Sequence, residues 1–234
     1  MQDIYDLVVI GGGISSSTFI ANILKKGFTG KIAVVEAGRG LGGRCSTRYS
    51  YKNKKLSLNH GCPNFNIKNS LNNISLDIFI KELLDNNLIK TFKNSFYEID
   101  EDYKYSNKYN NDFYSGDVYK SNGSMSKFVE NLTLLYNLND QIDFYFQTLI
   151  NNLKFESDSW TVISTMKRKI IGRFLVCSSN LLLHNRSLEI LNVNEIPLRK
   201  AIINKNSIML DEIINLTNKQ EYIKRINFLI FSKK

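Results

Sequence analysis

The first 36 residues of this 234-residue chain contain two short apolar runs, with a glycine-rich turn and a helix-like segment between them. Asp6 to Ile10 is a short, β-branched stretch without polar alternation, which is typical of a strand buried on both faces. Ile14 to Lys26 has the spacing of a helix, and Gly27 follows at the position where a helix commonly ends. Lys31 to Glu36 repeats the buried-strand pattern. This order predicts a βαβ unit with a right-handed crossover.

The remaining apolar pattern predicts further helices and strands. Apolar residues recur at helical spacing over Leu76–Leu88 and Gly123–Tyr136, and Ala37–Arg48 begins as a loop and continues in helix-like fashion. Leu181–Lys234 has mostly helical character. Four short runs predict strands, namely Ile142–Phe146, Gln147–Phe155, Trp160–Ser164 and Arg173–Ser178. The chain is therefore expected to be an α/β protein.

Charge widens the set of candidate partners only slightly. Thirty-one Lys and Arg against 22 Asp and Glu give a net charge of +9, a balance compatible with nucleic acid or an acidic membrane surface. The lysines are scattered among Asn and Ile, and we find no basic helix stripe and no aromatic ladder. We therefore predict no nucleic-acid or membrane partner, and keep a basic nucleic-acid-binding module as a minor alternative.

Cysteine and histidine content bears on compartment and metal binding. Cys45, Cys62 and Cys177 are odd in number and widely spaced, which fits a reducing cytoplasm better than a disulfide scaffold. Without a CxxC pair and with only two histidines, the sequence predicts no metal site. No basic segment precedes the first strand, and no apolar run approaches the roughly 18 residues of a membrane helix. We expect a cytoplasmic protein.

The turn after the first strand carries the first chemical motif. Gly11-x-Gly13 lies between a predicted strand and a predicted helix, the context in which a glycine-rich loop binds a dinucleotide. The first glycine permits a tight turn, the second lets the backbone approach a pyrophosphate, and the helix N-terminus adds N–H donors. Ser16 replaces the third glycine of this fingerprint. We expect Ser15 and Ser16 to offer hydroxyls near the phosphates, with Ile14 in the same loop.

Glu36 ends the second strand 23 residues after Gly13 (36 − 13 = 23). That offset is close to the ~20 residues that separate such a loop from the acid that binds the ribose. A carboxylate there accepts hydrogen bonds from a ribose 2′-OH and repels a 2′-phosphate. The motif therefore favours FAD or NAD over NADP, and a glycine-rich turn in an unrelated α/β protein is the alternative.

A second motif, "AGRGLGGRCST" from Ala37 to Thr47, decides between FAD and NAD. Here the chain resembles the flavoprotein family that includes amine oxidases, phytoene desaturases and renalase, in which a glycine-rich loop and a Gly-Gly-Arg follow the acid. Gly42, Gly43 and Arg44 match that pattern. A guanidinium pairs with phosphate oxygens in a bidentate way, and the resemblance places this arginine beside the FAD.

The resemblance narrows to the renalase-like branch at "LNHGCPNFNI", Leu58 to Ile67, which is similar to a segment that runs along the flavin. Gly61 and Phe65 fit the pattern, whereas Asn64 stands where the branch often has Gln. Ile150 falls where the family has a backbone segment near the adenosine half. His60 and Cys62 lie in the same segment, but a lone residue of either type more often packs than reacts.

What the resemblance implies for the fold is an FAD/NAD(P)-binding Rossmann-like domain with a parallel sheet and a three-stranded β crossover, carrying an inserted α+β substrate domain. We assign residues 1–68 and 117–182 to the FAD-binding domain and 69–116 and 183–234 to a partial substrate domain. Family members are longer and close with a Gly-Asp segment that contacts FAD. No such pair occurs near the end here, so we expect an incomplete C-terminus and a complementing C-terminal chain as a candidate partner.

By resemblance, the protein is an FAD-dependent oxidoreductase that binds FAD non-covalently and transfers a hydride from a reduced nicotinamide species or an amine to the flavin. The main alternative is a non-catalytic, truncated dinucleotide-binding fragment that needs a partner. No catalytic residue is predicted. The predicted cofactor-binding residues are Gly11, Gly13, Ile14, Ser15, Ser16, Glu36, Ala37, Gly42, Gly43, Arg44, Gly61, Asn64, Phe65 and Ile150.

Overall fold

The computed structural model describes residues 4–51, 56–67, 73–92, 98–99, 102, 104–106, 116–202 and 207–220. The described strands are β1 (Ile4–Ile10), β2 (Ile32–Val35), β3 (Thr47–Tyr49), β4 (Ser57–Asn59), β5 (Phe65–Ile67), β6 (Ile89–Thr91), β7 (Glu98–Ile99), β8 (Tyr105–Ser106), β9 (Asp117–Ser121), β10 (Ile142–Tyr145), β11 (Ile150–Glu156), β12 (Ser159–Ser164) and β13 (Lys169–Cys177). The described helices are α1 (Ile14–Lys25), α2 (Ile74–Asp85), α3 (Met125–Leu134), α4 (Ser187–Ile190), α5 (Pro197–Ala201) and α6 (Ile208–Asn218). The chain divides into two compact units, the first made of Met1–Gly43 and Thr133–Lys234 and the second of Arg44–Leu132.

The first unit is built on a six-stranded sheet in the order β10-β2-β1-β13-β12-β11. β10, β2 and β1 run parallel to one another, and β13 pairs parallel with β1 from Ile171 to Cys177. The start of β13 pairs antiparallel with β12, which pairs antiparallel with β11. After β10 at one edge of the sheet, the chain crosses to β11 at the other edge and reaches the position beside β1 through β12 and β13. This arrangement confirms the predicted α/β fold with a parallel-rich, Rossmann-like sheet.

Both faces of β2 and of the end of β1, from Leu7 to Ile10, are buried, which explains their unbroken apolar sequences. Val8 and Val9 point to opposite faces, and neither side chain is exposed. On one face, Ile20 and Leu24 of α1 pack against Val9 and other strand residues. On the opposite face, Val8 belongs to a second core cluster, which extends to the antiparallel strands. The helix and strands predicted at the N-terminus are therefore those of the folded βαβ unit.

The second unit contains shorter strands. β9 lies between β5 and β6 in an antiparallel sheet, and β3 pairs with β4 in a separate hairpin. Phe65 stacks on Tyr119 of β9 and on Phe128 of α3, with ring centroids 5.7 Å and 6.2 Å away. The Asn59 side chain accepts hydrogen bonds from the Thr47 hydroxyl and the Met125 N–H. The division into an FAD-binding and a substrate domain remains a prediction.

Several predicted helical segments begin or end differently from the sequence pattern, and two of these differences have a clear local cause. α2 begins at Ile74 because the Asn73 side chain caps it, accepting from the Leu76 N–H at 3.1 Å. The helix-like part of Ala37–Arg48 is only one 3₁₀ turn, Gly43–Cys45, followed by β3. Glycines at positive φ precede and begin this turn, and glycine is a poor helix former. Among the described helices, none combines the length and apolarity needed to cross a bilayer.

Candidate dinucleotide site

The turn at the carboxyl end of β1 depends on Gly11. Its φ of +107° is a conformation that side chains rarely adopt. A Cβ atom there would also lie 2.5 Å from the Ser178 hydroxyl oxygen. Ser178 follows β13, and its hydroxyl donates to the carbonyls of Ile10 (3.1 Å) and Gly11 (3.3 Å). The backbone conformation therefore requires glycine at this position, and a side chain there would also displace the Ser178 hydroxyl.

Ser178 and Ser179 are residues that sequence reasoning missed. The Ser179 N–H nitrogen lies 3.4 Å from where a Cβ of Gly11 would be. β1 and β13 are adjacent and parallel, so their carboxyl ends meet at the same edge of the sheet, where ligands of such folds bind. The sequence predicted the strand Arg173–Ser178, but it did not show that this strand lies beside β1. That pairing is what brings Ser178 and Ser179 to the glycine loop.

Glu36 connects the glycine loop to the end of β2. Its Oε2 atom accepts a hydrogen bond from the Gly12 N–H (2.6 Å), and its Oε1 atom accepts one from the Gly38 N–H (2.5 Å). The predicted ribose acid therefore also orders the loop around it. Each carboxylate oxygen has a second lone pair, and the side chain is half-buried, so the carboxylate retains capacity for another donor.

The two glycine-rich motifs, separate in sequence, are in direct contact. The Gly42 N–H donates to the Gly12 carbonyl at 2.7 Å, and Gly42 and Gly13 form a parallel β-bridge. A Cβ atom on Gly43 would lie 3.2 Å from the Cα atom of Gly13. Gly42 and Gly43 thus support the first loop by close backbone packing, in addition to any contact with a ligand.

The N-terminus of α1 is open. Gly13 is its N-cap residue and supplies no side-chain hydrogen bond, and no acidic residue lies in the first turn. A Cβ atom built on Gly13 meets nothing within 4 Å. The first N–H groups of a helix lack intrahelical acceptors. Free donors, partial positive charge and empty space therefore coincide at Gly13, as an anionic group requires.

The serines that follow have different surroundings. Ile14 and Ser15 are exposed, whereas Ser16 is buried, and its hydroxyl donates to the Gly13 carbonyl at 2.7 Å. The Ser17 hydroxyl also contacts that carbonyl (3.1 Å) and accepts from Thr133 at 2.7 Å. Ser16 therefore holds the loop through its own hydrogen bond, and the position of its hydroxyl near the phosphates stays a prediction.

Ile150 begins β11 and is buried in the large core cluster of the first unit. The residues just before it run beside the Glu36 turn, since the Thr148 N–H donates to the Glu36 carbonyl (2.9 Å) and the Gln147 N–H to the Gly38 carbonyl (2.8 Å). The structure therefore brings the segment preceding Ile150 close to the predicted ribose acid, with Ala37 exposed in the same turn.

In the second unit, Arg44 and Gly61 are in contact through their backbones. The Arg44 carbonyl accepts from the Cys62 N–H at 2.9 Å. A Cβ atom on Gly61 would lie 2.0 Å from that carbonyl oxygen, so no other residue fits without backbone movement. The Arg44 side chain is exposed, and within the described ranges no carboxylate forms a salt bridge with it. Phe65 packs in the aromatic cluster of this unit, and Asn64 is half-buried.

Cys45 and Cys62 lie side by side in the same unit. Their thiols interact with each other, and the Cys62 thiol donates a hydrogen bond to the Asn64 carbonyl at 2.8 Å. The hydrogen bond to Cys62, followed by burial, raises the pKa of Cys45 far above its usual range. The same bond lowers the pKa of Cys62 to about 6. Among the described residues, no three His, Cys, Asp or Glu side chains are placed to hold a metal ion.

Residues 9–76 match the family described as the NAD(P)-binding Rossmann-like domain. This match covers both glycine-rich motifs and Glu36, the residues that the structure brings together at the carboxyl ends of β1 and β2. No curated protein sequence matches the chain.

Solved structures of putrescine oxidase have a similar fold. The wild type bound to putrescine and a double mutant from a redesign of cofactor binding each have a TM-score of 0.53, with 12% identity. Each similarity covers 78% of this chain and 60% of the other. A single mutant has a TM-score of 0.54, 12% identity and coverage of 78% and 59%. The chain thus spans about three fifths of these structures, and the likeness establishes the fold.

Proposed function

We propose that this protein binds FAD non-covalently and is an FAD-dependent oxidoreductase. The observation that carries the proposal is the open N-terminus of α1 at Gly13, where a Cβ would find nothing within 4 Å. The loop before it is held by Glu36 and packed against Gly42 and Gly43. A site preorganised in this way needs little rearrangement to receive a pyrophosphate.

The residues present fit a dinucleotide with a free 2′-OH. The pyrophosphate would lie against Gly13 and the N–H groups of Ile14 and Ser15. The half-buried carboxylate of Glu36 has remaining acceptor capacity for a ribose hydroxyl. Arg44, next to Gly43 in the chain, has an exposed guanidinium suited to a phosphate.

When bound, FAD would supply a two-electron acceptor for a hydride. The chain's own contribution is binding and orientation of the cofactor. We propose a reduced nicotinamide species or an amine as the hydride donor, in the manner of the renalase-like branch, and a cytoplasmic location. The sequence resemblance and the fold shared with putrescine oxidase, whose wild-type structure contains putrescine, support this substrate class.

A second candidate function is dinucleotide binding without catalysis, by a chain that acts together with a complementing polypeptide. The observation that favours it is that the described contacts of Glu36 and Gly42 build the cofactor cradle, and none of them assigns a side chain to substrate chemistry. Both candidates use the same cofactor cradle. They differ in whether this chain alone lets a substrate reduce the flavin.

The first test is a titration of the purified chain with FAD, followed by flavin absorbance and fluorescence, in the wild type and in Gly13→Ala. The added methyl meets no protein atom within 4 Å, so we expect unchanged folding. It would occupy the approach of the pyrophosphate and cost about 1–3 kcal/mol of binding, or roughly 5- to 150-fold in Kd. Circular dichroism checks the fold.

Gly40→Ala is the matched control. Gly40 lies in the same region, does not adopt positive φ, and likewise has nothing near its added Cβ. Its FAD affinity should equal that of the wild type. Absence of FAD binding by the wild type, or equal binding by Gly13→Ala, would contradict the proposal. If FAD binds but neither reduced nicotinamides nor amines bleach it without oxygen, the non-catalytic candidate is supported.

A further inference from the structure

Two cysteines that are separate in the sequence are neighbours in the second unit. Pairing of β3 with β4, with Thr47 opposite Asn59, turns the chain back on itself. The Cys62 N–H then donates to the carbonyl of Arg44, the residue before Cys45. Standard bond lengths and this 2.9 Å contact keep the two Cα atoms within about 8 Å. The two thiols also interact with each other.

Gly61 makes this approach possible. A side chain there would overlap the Arg44 carbonyl oxygen, because its Cβ would lie only 2.0 Å away. With glycine, the backbones on either side of the cysteine pair are in contact. Both cysteines are free thiols, and a disulfide requires Cα atoms about 4.4–6.8 Å apart with converging side chains. The backbone contact and the interaction between the thiols place the two cysteines within reach of each other.

We propose that Cys45 and Cys62 form a dithiol site that hydroperoxides oxidise to an intramolecular disulfide, with Cys62 as the attacking thiol and Cys45 as the resolving thiol. This site is additional to the proposed FAD chemistry and does not depend on it. The co-reactant is a hydroperoxide, of which hydrogen peroxide is the simplest.

The two roles follow from exposure and charge. Cys62 is half-buried and reachable from solvent, whereas Cys45 is 8% exposed. The hydrogen bond from Cys45 favours the thiolate of Cys62, the form that attacks peroxides, and holds the pKa of Cys62 at about 6. Cys177, in the first unit, has a pKa raised by burial to about 11 and serves as an internal reference.

The reaction balances as two steps. The Cys62 thiolate attacks one peroxide oxygen, the O–O bond breaks, and the hydroxide that leaves takes up a proton to give water. Cys62 becomes a sulfenic acid. The Cys45 sulfur then attacks the Cys62 sulfur, the S–O bond breaks, and the hydroxide leaves with the Cys45 proton as water. Two thiols lose two electrons in total, and one hydrogen peroxide is reduced to two waters.

The test treats the reduced full chain with one equivalent of hydrogen peroxide. Intact mass should fall by the two thiol hydrogens, and peptide mapping without reductant should find the Cys45–Cys62 cross-link. We expect Cys62 to react at least about tenfold faster than Cys177 at neutral pH, because its thiolate fraction is far larger. In Cys45→Ser, dimedone should trap the sulfenic acid on Cys62.

Cys177→Ser is the matched control and should form the disulfide at the wild-type rate. Cys62→Ser should lose the fast phase while Cys45 stays reduced. Peptide mapping of the oxidised wild type needs no variant, so it tests for the Cys45–Cys62 disulfide even if one substitution prevents folding. Retention of all three thiols, a cross-link that includes Cys177, or only intermolecular dimers would each overturn the proposal.

Discussion

Glu36 receives a backbone hydrogen bond on each carboxylate oxygen, from Gly12 and from Gly38. These bonds join the turn after β1 to the turn after β2, the two places where a dinucleotide would be held. Hydrogen bonds to a charged acceptor are about twice as strong as those between neutral groups. One side chain therefore stabilises the loop and presents the group proposed to bind the ribose.

Glu36→Gln should lower the free energy of unfolding by about 1–3 kcal/mol, because the amide nitrogen would face one of two N–H donors and leave it unsatisfied. Urea unfolding measures this change. Glu156→Gln, at the exposed end of β11, is the control and should change stability by less than about 0.5 kcal/mol. Equal losses in the two variants would show that the Glu36 hydrogen bonds do not stabilise the loop.

At the scale of elements, β1 and β10 are joined by side chains that reach across β2. The buried Tyr5 hydroxyl donates to Asp143 Oδ2 at 2.8 Å and lies 2.6 Å from the Tyr145 hydroxyl. Tyr5 and Tyr145 pack on one core cluster that includes Ala33 of β2. Burial, followed by the hydrogen bonds to Tyr145 and Asp143, raises the pKa of Tyr5 well above its usual 10.

This shift predicts a loss of stability at alkaline pH. The folded Tyr5 keeps its proton while the unfolded Tyr5 ionises, so its contribution is complete below about pH 10 and declines above it. Tyr5→Phe should lower the free energy of unfolding by about 1 kcal/mol at neutral pH. Above about pH 10, the free energy of unfolding of this variant should fall less steeply with pH than that of the wild type, by up to about 1.4 kcal/mol per pH unit. Urea unfolding between pH 8 and 11, as a rough range, measures both effects.

The control for this experiment is Tyr51→Phe, because the Tyr51 side chain is fully exposed. Its stability should follow the wild-type pH dependence. If Tyr5→Phe declines as steeply as the wild type above about pH 10, the buried hydroxyl cluster is not the cause of the alkaline loss.

At the scale of the whole molecule, ligand binding should raise stability by mass action. ADP carries the adenosine and pyrophosphate that Gly13 and Glu36 are proposed to hold, whereas FMN lacks both. ADP at about one hundred times its Kd should add about 2.7 kcal/mol to the free energy of unfolding. For a chain of this size, that corresponds to a rise in Tm of about 5–11 °C.

Thermal unfolding with ADP, FMN and FAD measures this difference. FAD should match or exceed ADP, and FMN should give a much smaller shift. NADP should stabilise less than NAD, because the Glu36 carboxylate repels its 2′-phosphate. If FMN raised Tm as much as ADP does, adenosine and pyrophosphate would not be the groups that the protein recognises. The proposed binding site at the glycine loop would then be wrong.

The sequence by itself determined the βαβ unit. Apolar runs typical of buried strands and the helical spacing of apolar residues are local patterns, and both can be recognised within short segments of the chain. It also located both glycine-rich motifs and Glu36, since their spacing reflects that unit. The tertiary structure alone decided which of these residues touch. It paired Gly42 with Gly13, placed Ser178 against Gly11, directed the Ser16 hydroxyl to the loop's own carbonyl, and brought Cys45 to Cys62. Those contacts join segments whose meeting depends on strand order and close backbone packing, which no local pattern of residues encodes.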